Sequence, residues 1–314
     1  MIPTDNTEFA PESELASSRA LCVQIRRDLL WAVSSSDRWT VEHPAFGTGD
    51  RQRVQRWIDT LNDDCLLDSD LPRLQQRRLG HYFEALWLFY LERQHTWQLQ
   101  LANQVVFDIA PNDKRTIGEI DFVLLHPATD HLLHLEIAVK FYLAVPYQHE
   151  MIWVGPSLQD NLQRKLVHLE QHQLPLGQHP DIIARLGRRP DEHRALIKGR
   201  GFWPSSTAID DTPNDREPRD GAWLCVTDAI KSLLGHRIAV LHRREWLAGP
   251  AQPHWQTVTP DILISLAGRA PVQIWLEPDP SRSNAPEAMF IVPDDWLARA
   301  IEYIDEQRIA ERPI

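Results

Sequence analysis

A chain of 314 residues that is 43% hydrophobic and 25% charged has the composition of a globular protein with a sizeable core. Its formal net charge of -11 argues against a protein that coats nucleic acid through overall positive charge, although it allows a local basic groove. No apolar run approaches the roughly 18 residues of a membrane span, and the first residues lack the features of a signal peptide. The three cysteines have no metal-ligand spacing, so we expect buried thiols in a cytoplasmic protein without membrane contact.

The order of the predicted elements divides the chain into five segments. They are a disordered tail at 1–18, an N-terminal helical extension at 19–71, a central core at 72–205, a loop at 206–220 and a C-terminal α+β region at 221–314. The loop is assigned because its residues are rich in Asp and Pro and poor in apolar side chains. We expect the C-terminal region to pack on the core.

Helical spacing of apolar residues dominates the first third of the chain. It predicts helices over 15–35 and 51–64, and a strong helix from Pro72 to Glu92. An extended segment is predicted over 97–109. After a hairpin, residues 145–156 are predicted to form a loop.

The elements after the hairpin begin with a helix that Ser157 is predicted to cap, with Asp160 three residues later in a capping-box-like arrangement. Its expected buried stripe consists of Leu158, Leu162, Leu166 and Leu169. A strand is predicted over 194–204, and short strands then precede a final helix that Asp294 or Asp295 opens. The central order of helix, three strands, helix and strand predicts an α/β layer with a mixed sheet, because a short hairpin joins the middle strands.

The hairpin is predicted from the segment "GEIDFVLLHPATDHLLHLEIAVKFYL", in which apolar and polar residues alternate at a period of two. Its expected apolar face consists of Ile120, Phe122, Leu124, Leu135, Ile137, Val139 and Phe141. The other face gathers Glu119 and Asp121 on the first strand, and Glu136 and Lys140 on the second. Acidic side chains are therefore concentrated on one side of the hairpin.

The turn of this hairpin fixes which acids face each other. A turn centred on Ala128 and Thr129 places Asp121 opposite Glu136 on the same face. Two carboxylates in such a position repel each other unless a proton or a cation lies between them. Hard divalent cations such as Mg²⁺ take oxygen ligands of this kind.

A third acid, Glu84, is the only charged residue in the apolar stretch from Tyr82 to Leu91. A helix that is apolar nearly all round is buried, so an ionised carboxylate on it needs a partner. One interpretation is a helix-edge carboxylate that pairs with an arginine. Together with the two hairpin acids, Glu84 becomes a candidate third ligand.

Three histidines, His126, His131 and His134, lie near the hairpin. They form neither an HxH nor an HExxH pattern, which are typical spacings of metal ligands. We interpret them as solvated or capping residues rather than as a zinc site.

These residues, in this order, resemble the PD-(D/E)XK nuclease superfamily. That resemblance implies a restriction-endonuclease-like core of helix, three-strand antiparallel meander, helix and strand, within the segment 72–205. "GEID", ending at Asp121, resembles the second-strand motif, Glu136 and Lys140 resemble the third-strand acid and lysine, and Glu84 resembles an acid on the first helix. The chain is also similar to an uncharacterised bacterial family, domain-of-unknown-function family 1853, through "GEIDFVLL", "HLEIAVKFYL" and "VGPSLQDNLQRKLVHLEQHQL".

The resemblance implies a nuclease that hydrolyses phosphodiester bonds of DNA or RNA with Mg²⁺ or Mn²⁺. In this interpretation Glu84, Asp121 and Glu136 bind the metal, and Asp121, Glu136 and Lys140 form the catalytic set. The residues implied to support them or to contact the substrate are Glu119, Arg164 and Lys165.

The lysine departs from the pattern of the superfamily. The usual order is acid, any residue, lysine, but "EIAVK" places Ala138 where the lysine is expected and Lys140 two residues further along the strand. Lys165 on the following helix is an alternative lysine. The other alternative is that catalysis has been lost. The protein would then be a catalytically inactive member of the nuclease fold that binds nucleic acid or a protein partner.

The segment 161–200 carries eight Lys and Arg residues against four Asp and Glu residues, an excess of four positive charges. Such a patch can attract a phosphate backbone, although a solvated helix and loop face is the more common meaning of such a run. A third interpretation of the whole protein is a cytosolic scaffold whose acids form structural ion pairs with arginines such as Arg115.

Overall fold

The structure is a computed structural model that describes residues 12–40, 46, 51–67, 78–110, 113–205, 221–279 and 286–310. The helices of these ranges are α1 (Glu12–Ser34), α2 (Arg51–Ile58), α3 (Asp63–Leu67), α4 (Leu79–Arg93), α5 (Leu162–His168), α6 (Pro180–Leu186), α7 (Val226–Leu233), α8 (Pro260–Ala267) and α9 (Trp296–Ala310). None of them combines the length and the apolarity that crossing a bilayer requires.

Ten strands of the described residues form one sheet. They are β1 (Gln98–Ala110), β2 (Asp113–His126), β3 (His131–Tyr147), β4 (Glu150–Val154), β5 (Glu192–Pro204), β6 (Gly221–Cys225), β7 (Arg237–Val240), β8 (Gln256–Thr257), β9 (Val272–Leu276) and β10 (Glu287–Val292). The path across the sheet is β1-β2-β3-β5-β6-β10-β9-β7-β8, and β4 pairs with the end of β3.

The directions of the strands make the sheet mixed. β1, β2 and β3 form an antiparallel meander, and β5 adds to β3 in parallel. β6 then pairs in parallel with both β5 and β10, whereas β9, β7 and β8 continue as antiparallel strands. The predicted mixed α/β class is therefore confirmed, and the C-terminal strands continue the sheet that contains the hairpin.

Helices α1 and α4 pack with one face of the sheet to form the main core. This core unites side chains from across the chain, including Leu29 of α1, Trp87 of α4, Leu135 of β3 and Phe290 of β10. Phe122 and Leu124 of β2 also belong to it, as the alternation predicts. The strand that carries Glu136 thus contributes side chains to the main core.

Ile120 does not follow the predicted alternation. It packs in a separate cluster with Val106, Val123 and Leu176 on the opposite side of the sheet from Phe122. The change coincides with Asn103 of the neighbouring strand, which has a positive φ of 47°. A left-handed residue distorts a strand locally, so the period of two is interrupted at this point.

Two local predictions after the hairpin are wrong. Part of the predicted loop at 145–156 is extended, because β3 continues to Tyr147 and turns directly into β4. The helix predicted to begin at Ser157 begins instead at Leu162, where the Asn161 side chain accepts a hydrogen bond from the backbone N–H of Arg164 at 2.8 Å. Leu158, with a φ of 56°, lies in the preceding turn rather than in the helix.

The boundaries of the remaining predicted segments agree only in part with the structure. α1 begins at Glu12, within the predicted tail, and residues 1–11 lie outside the described ranges. The helix predicted from Pro72 is described from Leu79 onward. The predicted loop at 206–220 also lies outside the described residues.

Asp28 joins α1 to two other parts of the chain. Its buried carboxylate accepts hydrogen bonds from the Tyr82 hydroxyl of α4 at 3.0 Å and from the Gln24 side chain at 3.1 Å. The backbone N–H of Ala248 also donates to it. Burial raises the pKa of Asp28 to about 7, although these hydrogen bonds oppose the rise.

Candidate active site

The register between β2 and β3 brings two acids together. The pairs run from His126–His131 to Phe122–Leu135, so Asp121 and Glu136 are the next residues beyond the last pair. There the Asp121 backbone N–H donates to Glu136 Oε1 at 3.3 Å, and the Ile137 N–H donates to Asp121 Oδ2 at 2.8 Å. The predicted register is confirmed. Beyond the last backbone pair, each carboxylate accepts a hydrogen bond from a backbone N–H of the other strand.

Glu136 is fully buried and accepts hydrogen bonds on both oxygens. His134 Nε2 lies 2.8 Å from Oε1 and donates to it in the tautomer that carries the proton on Nε2. Gln173 Nε2 donates to Oε2 at 2.8 Å. Burial raises the pKa of Glu136 to about 7, because the hydrogen bond from the Asp121 backbone N–H and the charge of Lys165 compensate only in part for the loss of water.

Asp121 is the more strongly perturbed acid of the pair. Burial, followed by the repulsion from Glu136, raises its pKa to about 8, and Glu84 adds a smaller contribution in the same direction. The Ile137 N–H and the charge of Lys165 oppose the rise. Near neutral pH the pair therefore competes for protons, and a cation that replaced a proton would relieve the repulsion.

A cavity of about 360 Å³ opens beside Asp121. Glu84 and Glu119 also line it, whereas Glu136 lies behind its wall. The Glu84 side chain is 36% exposed and lies 3.4 Å from the imidazole of His81. Burial raises the pKa of Glu84, as does the nearby Glu119, while His81 lowers it. The structure thus brings Glu84, Glu119 and Asp121 to one cavity.

The metal-binding capacity of this site follows from its donor atoms. Within the described ranges, no group of three or more His, Cys, Asp or Glu side chains is arranged to hold a metal ion. The carboxylate oxygens of Asp121 and Glu136 are nevertheless the donor type that Mg²⁺ and Mn²⁺ prefer. The raised pKa values of both acids indicate that positive charge beside them is insufficient. In donor chemistry the pair fits a hard divalent cation.

The two candidate lysines occupy different positions. The Lys140 ammonium donates to Asp160 and lines a second cavity rather than the one beside Asp121. Lys165 Nζ donates to Gln173 Oε1 at 2.8 Å, and the same Gln173 donates to Glu136. The charge of Lys165 lowers the pKa of both Asp121 and Glu136. The structure therefore connects Lys165, and not Lys140, to the acid pair.

His134 was predicted to be solvated or capping, and this prediction is wrong. Its side chain is fully buried, and burial lowers its pKa to about 4, so the imidazole is neutral. If Nε2–H donates to Glu136, Nδ1 must accept, and His193 Nδ1 lies 3.0 Å from it. His134 and Glu136 are two residues apart on one strand, and this spacing predicts that their side chains lie on the same face of the sheet.

Gln173 and His193 are site residues that sequence reasoning missed. Gln173 belongs to a π-helical turn, Leu169–Gln173, that continues α5. His193 reaches His134 because β5 pairs in parallel with β3. Neither contact follows from local periodicity, since each depends on how distant segments dock.

Half of the eight basic side chains in the segment 161–200 pair with acids, so the segment is less positive than its composition suggests. Lys198 is fully buried, where it pairs with Asp37 at 3.1 Å and donates to the carbonyl oxygen of Ser35 at 2.7 Å. Arginines elsewhere in the segment pair with acids: Arg185 with Asp181, Arg188 with Asp130, and Arg194 with Glu192. Arg164 is exposed on α5.

Among the described residues, none of the three acids Glu84, Asp121 and Glu136 forms an ion pair with an arginine. Their partners are histidines, an amide side chain and backbone N–H groups. The third interpretation, a scaffold whose acids form ion pairs with arginines such as Arg115, predicts different partners for these acids.

The fold and the site define a mixed α/β protein in which a partly buried and a fully buried carboxylate, Asp121 and Glu136, meet beside an acidic cavity. The chain belongs to the family described as "Domain of unknown function (DUF1853)", whose model matches residues 27–291. The match includes every residue of the site. Neither the curated proteins nor the solved structures contain a match to this chain.

Proposed function

We propose that the protein is a metal-dependent nuclease of the PD-(D/E)XK type, which hydrolyses phosphodiester bonds of DNA or RNA. The observation that carries the proposal is the hydrogen-bonded pair of Asp121 and the buried Glu136, beside a cavity that Asp121 and Glu84 line. The order of α4, the meander β1 to β3, α5 and the parallel β5 supports a restriction-endonuclease-like core. A cytoplasmic location is part of the same proposal.

Asp121 and Glu136, helped by Glu84, would hold Mg²⁺ or Mn²⁺. A bound divalent cation supplies two effects, polarisation of a phosphate and a lower pKa of bound water. Its positive charge would also replace the protons that the acid pair binds near neutral pH, since the pKa values of Asp121 and Glu136 are about 8 and about 7.

The protein's own side chains orient this pair. His134 and Gln173 each donate to one oxygen of Glu136, so the carboxylate has a fixed orientation. Lys165 is held by Gln173 and places a positive charge near both acids. In the proposed reaction Lys165 offsets negative charge that develops on the phosphate, which is the role first assigned to Lys140.

The test is cleavage of labelled single- and double-stranded DNA and RNA by the full-length protein with Mg²⁺, Mn²⁺ or EDTA. We expect metal-dependent cleavage that Asp121→Asn and Glu136→Gln abolish. Glu302→Gln is the matched control, because Glu302 is an exposed acid on α9, far along the chain from the hairpin. Loss of activity in the control as well would point to a general effect of removing an acid.

Metal binding is measured separately as the melting temperature with and without Mn²⁺. A ligand that binds only the folded state raises the melting temperature, so wild type should respond and Asp121→Asn should not. Absence of both the Mn²⁺ response and cleavage would refute the nuclease.

A second candidate function is a catalytically inactive relative that binds nucleic acid or a protein partner. The observation in its favour is that Glu136 already accepts three hydrogen bonds, from His134, Gln173 and the Asp121 backbone. Ala138 also stands where the superfamily has its lysine. Binding of nucleic acid in EDTA without cleavage in Mn²⁺ would favour this candidate.

A further inference from the structure

A second cavity, of about 400 Å³, lies next to the acidic one. Three cationic side chains, Lys140, Arg164 and Lys165, line it together with Asp160. His168 and His172 line both cavities and therefore form their common wall. We call this second space the cationic cavity.

The charges of the cationic cavity do not balance. Lys140 pairs with Asp160, which neutralises one cation. In the described part of the chain Lys165 donates to the neutral Gln173 instead of an acid, and the Arg164 side chain has no acidic partner. Among the described residues Arg164 and Lys165 therefore have no acid bonded to them directly, although Asp121 and Glu136 act on Lys165 from the neighbouring cavity.

The cationic residues come from two rigid elements. Arg164, Lys165 and His168 belong to α5, and Lys140 belongs to β3. Lys165 is half-buried, and its pKa is lowered by burial and then by the charge of Lys140. An anion in the cavity would reduce this repulsion, and guanidinium and ammonium groups are the usual partners of phosphate.

We propose that the cationic cavity is a phosphate-binding subsite that holds a phosphate group of the nucleic acid next to the bond positioned at Asp121. This inference rests on the proposed function, which makes a phosphodiester chain the substrate. The shared wall of His168 and His172 makes the two cavities neighbours, so adjacent phosphates of one strand occupy them in sequence. The acidic cavity receives the cation and the cationic cavity receives the phosphate.

The experiment measures binding to the full-length protein by titration calorimetry in EDTA, so that metal and cleavage play no part. The probes are a dinucleotide with a 5′-phosphate, the same dinucleotide without it, and inorganic phosphate. We expect the phosphorylated dinucleotide to bind at least about tenfold more tightly than the unphosphorylated one. Arg164→Ala and Lys140→Ala should each reduce that advantage several-fold.

Arg189→Ala is the matched control, because Arg189 is an exposed arginine of the same basic segment that does not line the cavity. Equal affinity for the two dinucleotides, or equal losses in Arg164→Ala and Arg189→Ala, would overturn the subsite. Inorganic phosphate that binds as tightly as the phosphorylated dinucleotide would overturn the assignment to a nucleic-acid strand.

The outcomes of this experiment can be separated from those of the nuclease test. Phosphate binding that Asp121→Asn preserves, combined with no response to Mn²⁺ in wild type, would refute the metal-dependent hydrolysis alone. A Mn²⁺ response without any preference for the phosphorylated dinucleotide would refute the subsite alone.

Discussion

At the scale of single residues, the hydrogen bonds around Glu136 all have the same polarity. The Asp121 backbone, His134 and Gln173 donate to its oxygens, and Lys165 donates to Gln173 in turn. These donors favour the ionised form of Glu136, so they favour Asp121 as the acid that keeps a proton shared by the pair. The higher pKa of Asp121, about 8 against about 7, agrees with this assignment.

His134 is predicted to position Glu136 for metal binding. His134→Leu removes the donor to Oε1 and should weaken Mn²⁺ affinity or activity by roughly 10- to 100-fold, which is typical for residues that orient a metal ligand. His134→Gln can place an amide N–H near the position of Nε2 and should restore much of the loss. Mn²⁺ titration and melting temperature are measured together for both variants. Equal Mn²⁺ affinity in the two would contradict the positioning role.

At the scale of elements, the sequence predicts contacts within the hairpin and fails where distant elements dock. The facing of Asp121 and Glu136 follows from a period of two and a symmetric turn, which are both local. The position of Lys165 depends on where α5 begins. The capping-box pattern predicts Ser157 as the cap, whereas Asn161 caps the helix in the structure. Gln173 lies in a π-helical turn whose hydrogen bonds leave no mark on apolar spacing.

Asp28 provides a prediction for the contact between α1 and α4. A buried acid whose pKa rises to about 7 on folding binds more protons in the folded than in the unfolded state between about pH 4 and 7. Its contribution to stability is therefore present at low pH and is lost as the pH rises through about 7. Asp28→Asn keeps an acceptor for Gln24 and Ala248 but does not titrate.

We expect the melting temperature of Asp28→Asn, relative to wild type, to rise by a few degrees between about pH 5 and about pH 8. Thermal melts in matched buffers measure the difference. A difference that is independent of pH would show that Asp28 is already ionised at pH 5, and a difference that falls would contradict a raised pKa of Asp28.

At the scale of the whole molecule, the regions before and after the residues 206–220 share one sheet and one core. β5 pairs with β6 in parallel, and the Trp223 indole of β6 donates to the Ala144 carbonyl of β3 at 2.9 Å. The Trp296 indole of α9 also donates to the Pro156 carbonyl. The division predicted at this loop reflects a change in composition. In the described residues, the elements after the loop pack against those before it.

This continuity predicts a single unfolding transition for the full-length protein. Trp223→Ala should cost about 3–5 kcal/mol, because it removes a large buried side chain and leaves a carbonyl of β3 without its donor. Calorimetry should detect one transition that moves to lower temperature in the variant. Two separate transitions, with only the later part of the chain affected by Trp223→Ala, would contradict the shared core.

The two sides of the site differ in local stability, because one of them consists of the π-helical turn Leu169–Gln173 and the 3-10 turn Leu174–Gln178. Its floor consists of β2 and β3, each of which pairs with a strand on both sides, so local opening is rare there. Its wall is short irregular turns, whose backbone hydrogen bonds are weaker and open more readily. The acids thus lie on the more stable strands. Gln173, which links Glu136 to Lys165, lies on the turns that open more readily. Entry of a ligand would therefore displace Gln173 more readily than the strands, which would free Oε2 of Glu136 while the Asp121 backbone and His134 still contact Oε1.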